Sequence, residues 1–193
     1  RLGREADIEL IIGYILRAGY GLFESLLDGI LPGVGAKQLL RLAVKDESSP
    51  LNYGNAILAE GENQVVGLAL SYPVLHYGLH PLLQSLLPQA RLDPMTALLA
   101  SKVPDSWYLN SLAVADVFRG KGLARLLVGC CGDLAVEAGQ SQLSLHVWSD
   151  NAAAIGLYRE LGFDEVERVP VSLRGARNRA GEMILMRAPL PLR

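Results

Sequence analysis

The 193-residue sequence predicts one α/β domain with a mixed sheet flanked by helices, and three observations support this prediction. Half of the residues are hydrophobic, which is enough to bury one sizeable core. Residues 55–72 show a hairpin pattern, and residues 107–148 show a strand, a helix and a strand, as in a parallel βαβ pair. Residues 1–193 are therefore expected to form a single domain, with residues 73–106 as a helical insertion.

The N-terminal segment has helical periodicity with one interruption. Apolar residues recur at spacings of three and four from Glu5 to about Ile30, with a break around Gly19 and Gly21. This spacing predicts two helices, or one broken helix, ending at Pro32-Gly33. A further amphipathic helix is predicted over Leu39 to Val44.

The next part of the chain predicts a hairpin followed by the insertion. The strand-like segments Asn55 to Ala59 and Gln64 to Tyr72 are separated by the turn residues Glu60-Gly61-Glu62-Asn63. Prolines and histidines then interrupt the insertion, so only two short helical patches are predicted, Leu82 to Leu87 and Met95 to Leu99. We expect this insertion to cover part of a functional site.

The C-terminal half predicts alternating strands and helices. The predicted elements are a strand at Trp107 to Val114, a turn at Arg119 to Gly122, a helix from Leu123 to about Ala138, a strand at Leu143 to Trp148, a helix opening at Asp150-Asn151, and strands at Glu165 to Leu173 and Glu182 to Met186. The apolar stripe expected on the long helix consists of Leu123, Leu126, Leu127, Cys130, Cys131 and Leu134. Cys130 and Cys131 are therefore expected to fill the core, and their adjacency disfavours a disulfide.

The charge balance and hydropathy limit the classes of partner. Eighteen basic residues against 20 acidic ones give a net charge of -2, which disfavours a nucleic-acid partner. No apolar run approaches the roughly 20 residues that cross a bilayer, so no membrane partner is expected. The absence of a disulfide framework fits a reducing compartment, and a cytoplasmic location is expected.

A turn with two glycines joins the strand at residues 107–114 to the long helix. Gly120 and Gly122 let the backbone approach a ligand closely, and the unpaired amides at the start of a helix attract anions. Arg119, Lys121 and Arg125 add positive charge, as a pyrophosphate ligand would require. Two glycines also suit a tight turn without a ligand, and the turn matches neither a Rossmann nor a P-loop motif.

Two segments resemble motifs of the GNAT N-acetyltransferase superfamily. Arg119-Gly120-Lys121-Gly122-Leu123-Ala124 resembles its signature Arg/Gln-x-x-Gly-x-Gly/Ala. Asn151 to Phe163, after a predicted strand, resembles Asn-x-x-Ala-x-x-Leu-Tyr-x-x-x-Gly-Phe. The resemblance implies an acyltransferase with the GNAT acyl-CoA N-acyltransferase fold and acetyl-CoA as its co-substrate.

The resemblance also implies roles for individual residues. The strand backbone would bind the pantetheine arm, the loop amides would hold the pyrophosphate, and Asn151 would contact the pantetheine or β-alanine portion. Tyr158 would be the catalytic acid that protonates the departing CoA thiolate. The implied CoA-binding residues are Leu112, Ala113, Val114, Arg119, Gly120, Lys121, Gly122, Leu123, Ala124, Asn151 and Tyr158. Taken alone, Asn151 would equally suit a helix N-cap and Tyr158 a half-buried aromatic residue.

The sequence leaves the general base open. Many relatives carry a glutamate on the strand that here reads Tyr108-Leu109-Asn110-Ser111, which has no carboxylate. His146 and Glu60 are the remaining candidates. His76 and His80 are four residues apart, but no third ligand is evident and no metal is expected.

The reaction expected from the resemblance is direct acetyl transfer to a primary amine, which is a peptide N-terminus, an amino acid or a small amine. Backbone amides near Val114 would polarise the thioester carbonyl in a tetrahedral intermediate. The apolar insertion would either line the acceptor groove or pack against a second subunit of a homodimer. Two alternatives stay open, namely a non-catalytic CoA-binding regulatory module and a nucleotide-binding regulatory domain that uses the same turn.

Overall fold

A computed structural model describes residues 1–61, 64–173 and 179–192 and contains one mixed sheet. Its strands are β1 (Ala56–Gly61), β2 (Gln64–Pro73), β3 (Trp107–Val114), β4 (Gln142–Trp148), β5 (Asp164–Leu173) and β6 (Arg179–Pro189), in the order β1-β2-β3-β4-β6-β5. The β3–β4 pair is parallel and the other pairs are antiparallel, as the strand–helix–strand pattern predicts. Of the predicted hairpin turn, Glu62 and Asn63 lie outside the described residues.

Helices cover both faces of the sheet. They are α1 (Ile8–Gly19), α2 (Leu22–Leu27), α3 (Ala36–Lys45), α4 (Pro81–Leu86), α5 (Gln89–Leu92), α6 (Thr96–Ala100), α7 (Leu123–Glu137) and α8 (Ala152–Glu160). Because side chains alternate along a strand, Leu68 and Leu70 of β2 pack in the core with α1 and α3, whereas Ala69 packs in the core with α7. The fold class predicted from the sequence is confirmed. No helix in the described ranges has the length and apolar character needed to cross a bilayer.

The predicted interruption of the first helical segment lies at Tyr20 and Gly21. Both residues adopt left-handed conformations, with φ of 50° and 87°. For tyrosine this conformation costs about 1–2 kcal/mol. The chain therefore turns sharply between α1 and α2, and Tyr20 stays exposed at the corner.

The apolar stripe predicted on α7 is wrong at one position. Leu127 and Cys131 are buried against the sheet as predicted, together with Val128 and Ala135, but Leu126 is 61% exposed. Successive helical residues are about 100° apart, so a face centred on Leu127 and Cys131 turns the residue before Leu127 toward solvent. Cys131 is fully buried and Cys130 is half-buried.

Strands β3 and β4 separate beyond their first few residues. Their pairing extends only from Trp107–Leu143 to Leu109–Leu145. At Asn110 the β2–β3 register shifts by one residue, a bulge that bends β3 at the point where the pairing with β4 ends. The C-terminal ends of two neighbouring parallel strands are thereby held apart, which opens a cleft in the middle of the sheet.

Asp28 should stabilise the start of α3. Its Oδ1 accepts a hydrogen bond of 2.6 Å from the backbone N–H of Ala36, the first residue of that helix, whose N-cap Gly35 has no side chain. We expect Asp28→Ala to lower the free energy of unfolding by about 1 kcal/mol, measured by urea denaturation, because an orphan amide loses its acceptor. Asp28→Asn keeps an acceptor oxygen and should recover most of the loss. An equal loss in both variants would contradict the capping role.

Candidate active site

A cavity of about 550 Å³ occupies the cleft between β3 and β4. Its walls are the separated strand ends, the first turns of α7 and α8, the α1–α2 corner and the insertion. The two motif segments, the break in the first helical segment and the insertion therefore each contribute to the lining, whereas the hairpin at residues 55–72 does not. The position of the cleft is determined by the bulge at Asn110 and by the separation of β3 from β4, and not by either motif alone.

The open edge of β3 presents backbone groups to this cavity. The Ala115 N–H donates to the Val66 carbonyl on β2, and Ala113 is opposite Leu68 in the same register. Because backbone groups alternate in direction along a strand, the N–H and C=O groups of Leu112 and Val114 point away from β2, toward the cleft. No β4 residue pairs with them. This edge can therefore bind an extended ligand chain by main-chain hydrogen bonds.

The first turn of α7 supplies unpaired amides at one end of the cavity. Gly120 and Gly122 are left-handed, with φ of 74° and 78°, and Gly122 is the N-cap residue. The N–H groups of Leu123, Ala124 and Arg125 belong to the first turn of a helix, where amides have no intrahelical acceptors. These amides and the helix dipole together favour an anion at this place.

The cations around this turn have carboxylate partners on the protein. Asp116 accepts from Arg17 at 2.5 Å and from Arg119 at 2.9 Å, and all three side chains are substantially exposed. Exposed pairs of this kind are weak, so an anionic ligand can compete for the guanidinium groups. Lys121 is placed differently from the other predicted residues, because its side chain does not line the cavity and its Nζ lies 5.0 Å from the Phe118 ring centroid.

Asn151 and Tyr158 approach the cavity from α8. The Asn151 Oδ1 accepts a hydrogen bond of 3.2 Å from the Ala154 N–H, so this side chain is the N-cap and also lines the cavity. Tyr158 follows two turns later on the same face, is 6% exposed, and packs its ring 5.5 Å from that of Phe163. Burial raises the pKa of the Tyr158 phenol above its ordinary value of 10.0.

Tyr158 is protonated at neutral pH, as an ordinary tyrosine is, and its raised pKa extends the protonated range to higher pH. Its hydroxyl makes no hydrogen bond to any residue that the structure describes. It is therefore free to donate to a ligand in the cavity. The predicted CoA-binding residues other than Lys121 all line this one cavity: Leu112, Ala113, Val114, Arg119, Gly120, Gly122, Leu123, Ala124, Asn151 and Tyr158.

The two candidate bases are placed differently. His146 lines the cavity from β4, and burial lowers the pKa of its imidazole to about 4, so the ring is neutral at physiological pH. Glu60 lies at the far end of β1, outside the described lining, where its carboxylate accepts from Arg1 at 2.7 Å. Of the two candidates, His146 is therefore the one that lines the cavity.

The far end of the cavity is lined by aromatic and apolar side chains. The insertion contributes Tyr77, Leu79, Met95, Leu98 and Leu99, and Phe23 and Leu26 face them from α2. Tyr77 and Tyr108, which both lie beside His146, are not among the residues predicted from the sequence. Polar residues on an otherwise apolar strand, as in Tyr108 to Ser111, are the signal that would have indicated Tyr108.

The remaining candidate groups have structural partners. The His80 Nε2 lies 2.9 Å from the Asp46 Oδ2, while His76 is exposed. Among the described residues, no group of three or more histidine, cysteine or acidic side chains is placed to hold a metal. Burial raises the pKa of the Cys131 thiol to about 12, which leaves it protonated and unsuited to a nucleophilic role.

Comparison with known proteins places these observations in one family. The sequence matches the acetyltransferase (GNAT) family over residues 35–163. It is 38% identical over 56 residues to the uncharacterized N-acetyltransferase YdgE of Bacillus subtilis, a match that covers 29% of this chain but only 36% of that protein. The curated relatives are matched over between 17% and 44% of their own length.

Solved structures share the fold over nearly the whole chain. An N-acetyltransferase from Staphylococcus aureus Mu50 matches with a TM-score of 0.69 at 19% identity, over 97% of this chain and 98% of that one. YncA from Salmonella typhimurium, whose structure was determined with its cofactor acetyl-CoA, matches with a TM-score of 0.59 at 19% identity, over 98% and 92%.

Proposed function

Because the chain belongs to the acetyltransferase (GNAT) family, as the match over residues 35–163 shows, we propose that it transfers the acetyl group of acetyl-CoA to a primary amine. The family resemblance inferred from the two motifs is confirmed. The observation that carries the proposal is the single cavity, in which an anion-binding helix start, an open strand edge and a protonated tyrosine converge.

The groups that line the cavity suit the chemistry of acetyl-CoA. We propose that the first-turn amides of α7, with Gly120 and Gly122, hold its pyrophosphate, and that Leu112 and Val114 bind the pantetheine arm through their backbone. Asn151 lies beside that path. Family membership supports this cofactor, since GNAT acetyltransferases use acetyl-CoA. Bound there, acetyl-CoA supplies a thioester activated for attack by a nitrogen nucleophile.

The residues around the thioester would each perform one step. An N–H of the open β3 edge, near Val114, would donate to the carbonyl oxygen and stabilise the oxyanion that forms on attack. Tyr158 would donate its proton to the departing sulfur. The same dry environment that raises the pKa of the phenol also disfavours a bare thiolate, so proton transfer accompanies departure.

The lining supports an acceptor with one amine and an apolar body. Polyamine and aminoglycoside sites need carboxylates, whereas the carboxylate in the described lining, Glu160, pairs with Arg125 near the helix ends. A peptide N-terminus, an amino acid or a small apolar amine suits the tyrosines and leucines at the far end. Because the insertion lines this wall, we propose that it forms part of the acceptor groove and not a subunit contact. We also propose that residues 1–193 act as one domain.

Release of free thiol from acetyl-CoA across a panel of amines tests the proposal. We expect turnover with at least one monoamine that carries an apolar group, and a higher kcat/KM for it than for a polyamine of similar size. Calorimetric binding of acetyl-CoA should be measured in parallel. Binding without turnover on any amine would favour the non-catalytic CoA-binding module, and no binding at all would remove both interpretations.

A further inference from the structure

A continuous chain of hydrogen bonds runs from the cavity to the protein surface through residues that the two sequence motifs do not contain. The Tyr108 hydroxyl lies 3.0 Å from the His146 Nδ1, and the His146 Nε2 lies 3.1 Å from the Ser101 Oγ. The Ser101 hydroxyl in turn donates at 2.7 Å to the Glu167 Oε1. Tyr108 and His146 line the cavity, Ser101 is buried, and Glu167 is exposed on β5.

We propose that Tyr108, His146, Ser101 and Glu167 form a proton relay that takes the proton from the acceptor amine to solvent. This role rests on the proposed acetyl transfer, for which the family's strand glutamate is missing. It makes Tyr108 the group that meets the amine, with His146 behind it. Ser101 and Glu167 are positioning residues that act through His146.

The carboxylate of Glu167 determines the direction of every hydrogen bond in the relay. An ionised carboxylate only accepts, so the Ser101 proton points to Glu167. The Ser101 oxygen must then accept from the His146 Nε2–H, which leaves the Nδ1 lone pair to accept from the Tyr108 hydroxyl. The Tyr108 oxygen, which also faces the backbone N–H of His146 and the Tyr77 hydroxyl, can then accept from a donor such as an amine in the cavity.

The surroundings of His146 leave its imidazole neutral and able to pass a proton along the relay. Tyr77 of the insertion stacks on the imidazole with ring centroids 5.6 Å apart, and Tyr108 meets it edge-on at 5.8 Å. Tyr77 itself donates to the Leu98 carbonyl at 3.0 Å and does not compete for the imidazole. The titratable groups near His146 are thus the phenols of Tyr77 and Tyr108 and, through Ser101, the carboxylate of Glu167.

Proton transfer along the relay balances at each atom. As one N–H bond of the protonated amine breaks, its proton joins the Tyr108 oxygen, and the Tyr108 proton moves to the His146 Nδ1. The Nε2 proton moves to the Ser101 oxygen, and the Ser101 proton joins the Glu167 carboxylate, which releases it to water. The amine keeps its electron pair for attack on the thioester carbonyl, and the relay returns to its starting state through rotation of the hydroxyls and exchange at the histidine.

Cutting the relay should lower the rate at neutral pH and change its pH dependence. We expect Ser101→Ala and Glu167→Gln each to reduce kcat/KM for the amine by about 10-fold at pH 7, as is usual for the outer partners of reactive groups. A lysine-like amine has a pKa of about 10.4, so without the relay only its small neutral fraction reacts. The kcat/KM of each variant should therefore approach that of the wild type as the pH rises from 7 to 9, while the affinity for acetyl-CoA stays unchanged.

Two matched variants control for the loss of the side chains themselves. Ser106→Ala removes another buried hydroxyl, which contacts Ser144 at 2.7 Å, and Glu165→Gln neutralises a carboxylate on the same strand that pairs with Arg168. Both should keep the wild-type rate and pH profile. Rates of Ser101→Ala and Glu167→Gln within twofold of wild type, or a loss of constant size at every pH, would overturn the relay while leaving acetyl transfer intact.

Nitrogen-15 NMR of the His146 ring supplies a readout that is independent of turnover. In the wild type we expect the Nε2–H tautomer at pH 7, and in Ser101→Ala a weaker preference for it. A wild-type Nδ1–H tautomer would reverse the hydrogen bonds and overturn the relay. Failure of every amine to react would overturn the proposed function, and the relay with it, even if the ring holds the expected tautomer.

Discussion

Gly122→Asp is expected to weaken acetyl-CoA binding by at least about 100-fold, which corresponds to about 2.7 kcal/mol. Gly122 is the left-handed N-cap of α7, with φ of 78°, and its amide neighbours form the proposed pyrophosphate cradle. A side chain at that φ costs about 1–2 kcal/mol, and a carboxylate there repels the phosphates it would face. Isothermal titration calorimetry with acetyl-CoA measures the effect directly.

Two further variants separate strain from charge. Gly122→Ala introduces a Cβ into open space and should cost only the backbone strain, so its affinity is expected to fall between those of the wild type and Gly122→Asp. Gly139→Asp adds the same carboxylate at a left-handed glycine, with φ of 76°, just beyond the opposite end of α7. It should bind acetyl-CoA normally. Undiminished affinity in Gly122→Asp would refute the cradle.

Tyr158→Phe is expected to reduce kcat by between about 100-fold and 1,000-fold while changing the affinity for acetyl-CoA little. The phenol makes no hydrogen bond to the described residues, and the ring packs on Phe163, so phenylalanine should fill the same space. The missing proton would leave CoA to depart as a thiolate in a dry site. Steady-state thiol release with the preferred amine measures the loss.

The pH profile gives this prediction a second test. Because burial raises the pKa of Tyr158, its proton should be retained beyond pH 10, and the wild type should show no loss of acid catalysis below that value. Tyr14→Phe is the matched control, since the Tyr14 hydroxyl donates to the Val65 carbonyl at 3.1 Å outside the described cavity lining. Unchanged turnover of Tyr158→Phe across pH would remove Tyr158 from the acid role.

Local patterns in the sequence were enough to predict most elements and to find one group of residues that line the cavity. Gly120, Gly122, Asn151 and Tyr158 lie in two short motifs. The first forms the turn into α7 and the second forms α8 with its cap, so the geometry of each depends mainly on neighbouring residues. The stripe on α7 was misjudged at Leu126, since helical spacing alone does not show where the buried face is centred.

The residues of the proposed relay could not be predicted in this way. Ser101 forms hydrogen bonds with both His146 and Glu167. It is 45 residues from His146 in the sequence and 66 residues from Glu167. No local spacing connects them, because each comes from a different element. The position of Glu167 also depends on the extra residue Val166 in β5, a bulge of the kind that re-aims the following side chain.

The sequence by itself determined the family, the mixed α/β fold and the residues of the expected CoA cradle, because these depend on short-range turns and periodicity. The tertiary structure decided which groups line the part of the cavity where we propose that the amine binds. In the tertiary structure β3 and β4 separate after Leu109, and Glu60 pairs with Arg1 away from the cavity. Tyr108, His146 and Ser101 meet in one chain of hydrogen bonds. These contacts form only when distant segments pack on the same sheet, so their energies leave no local mark in the sequence.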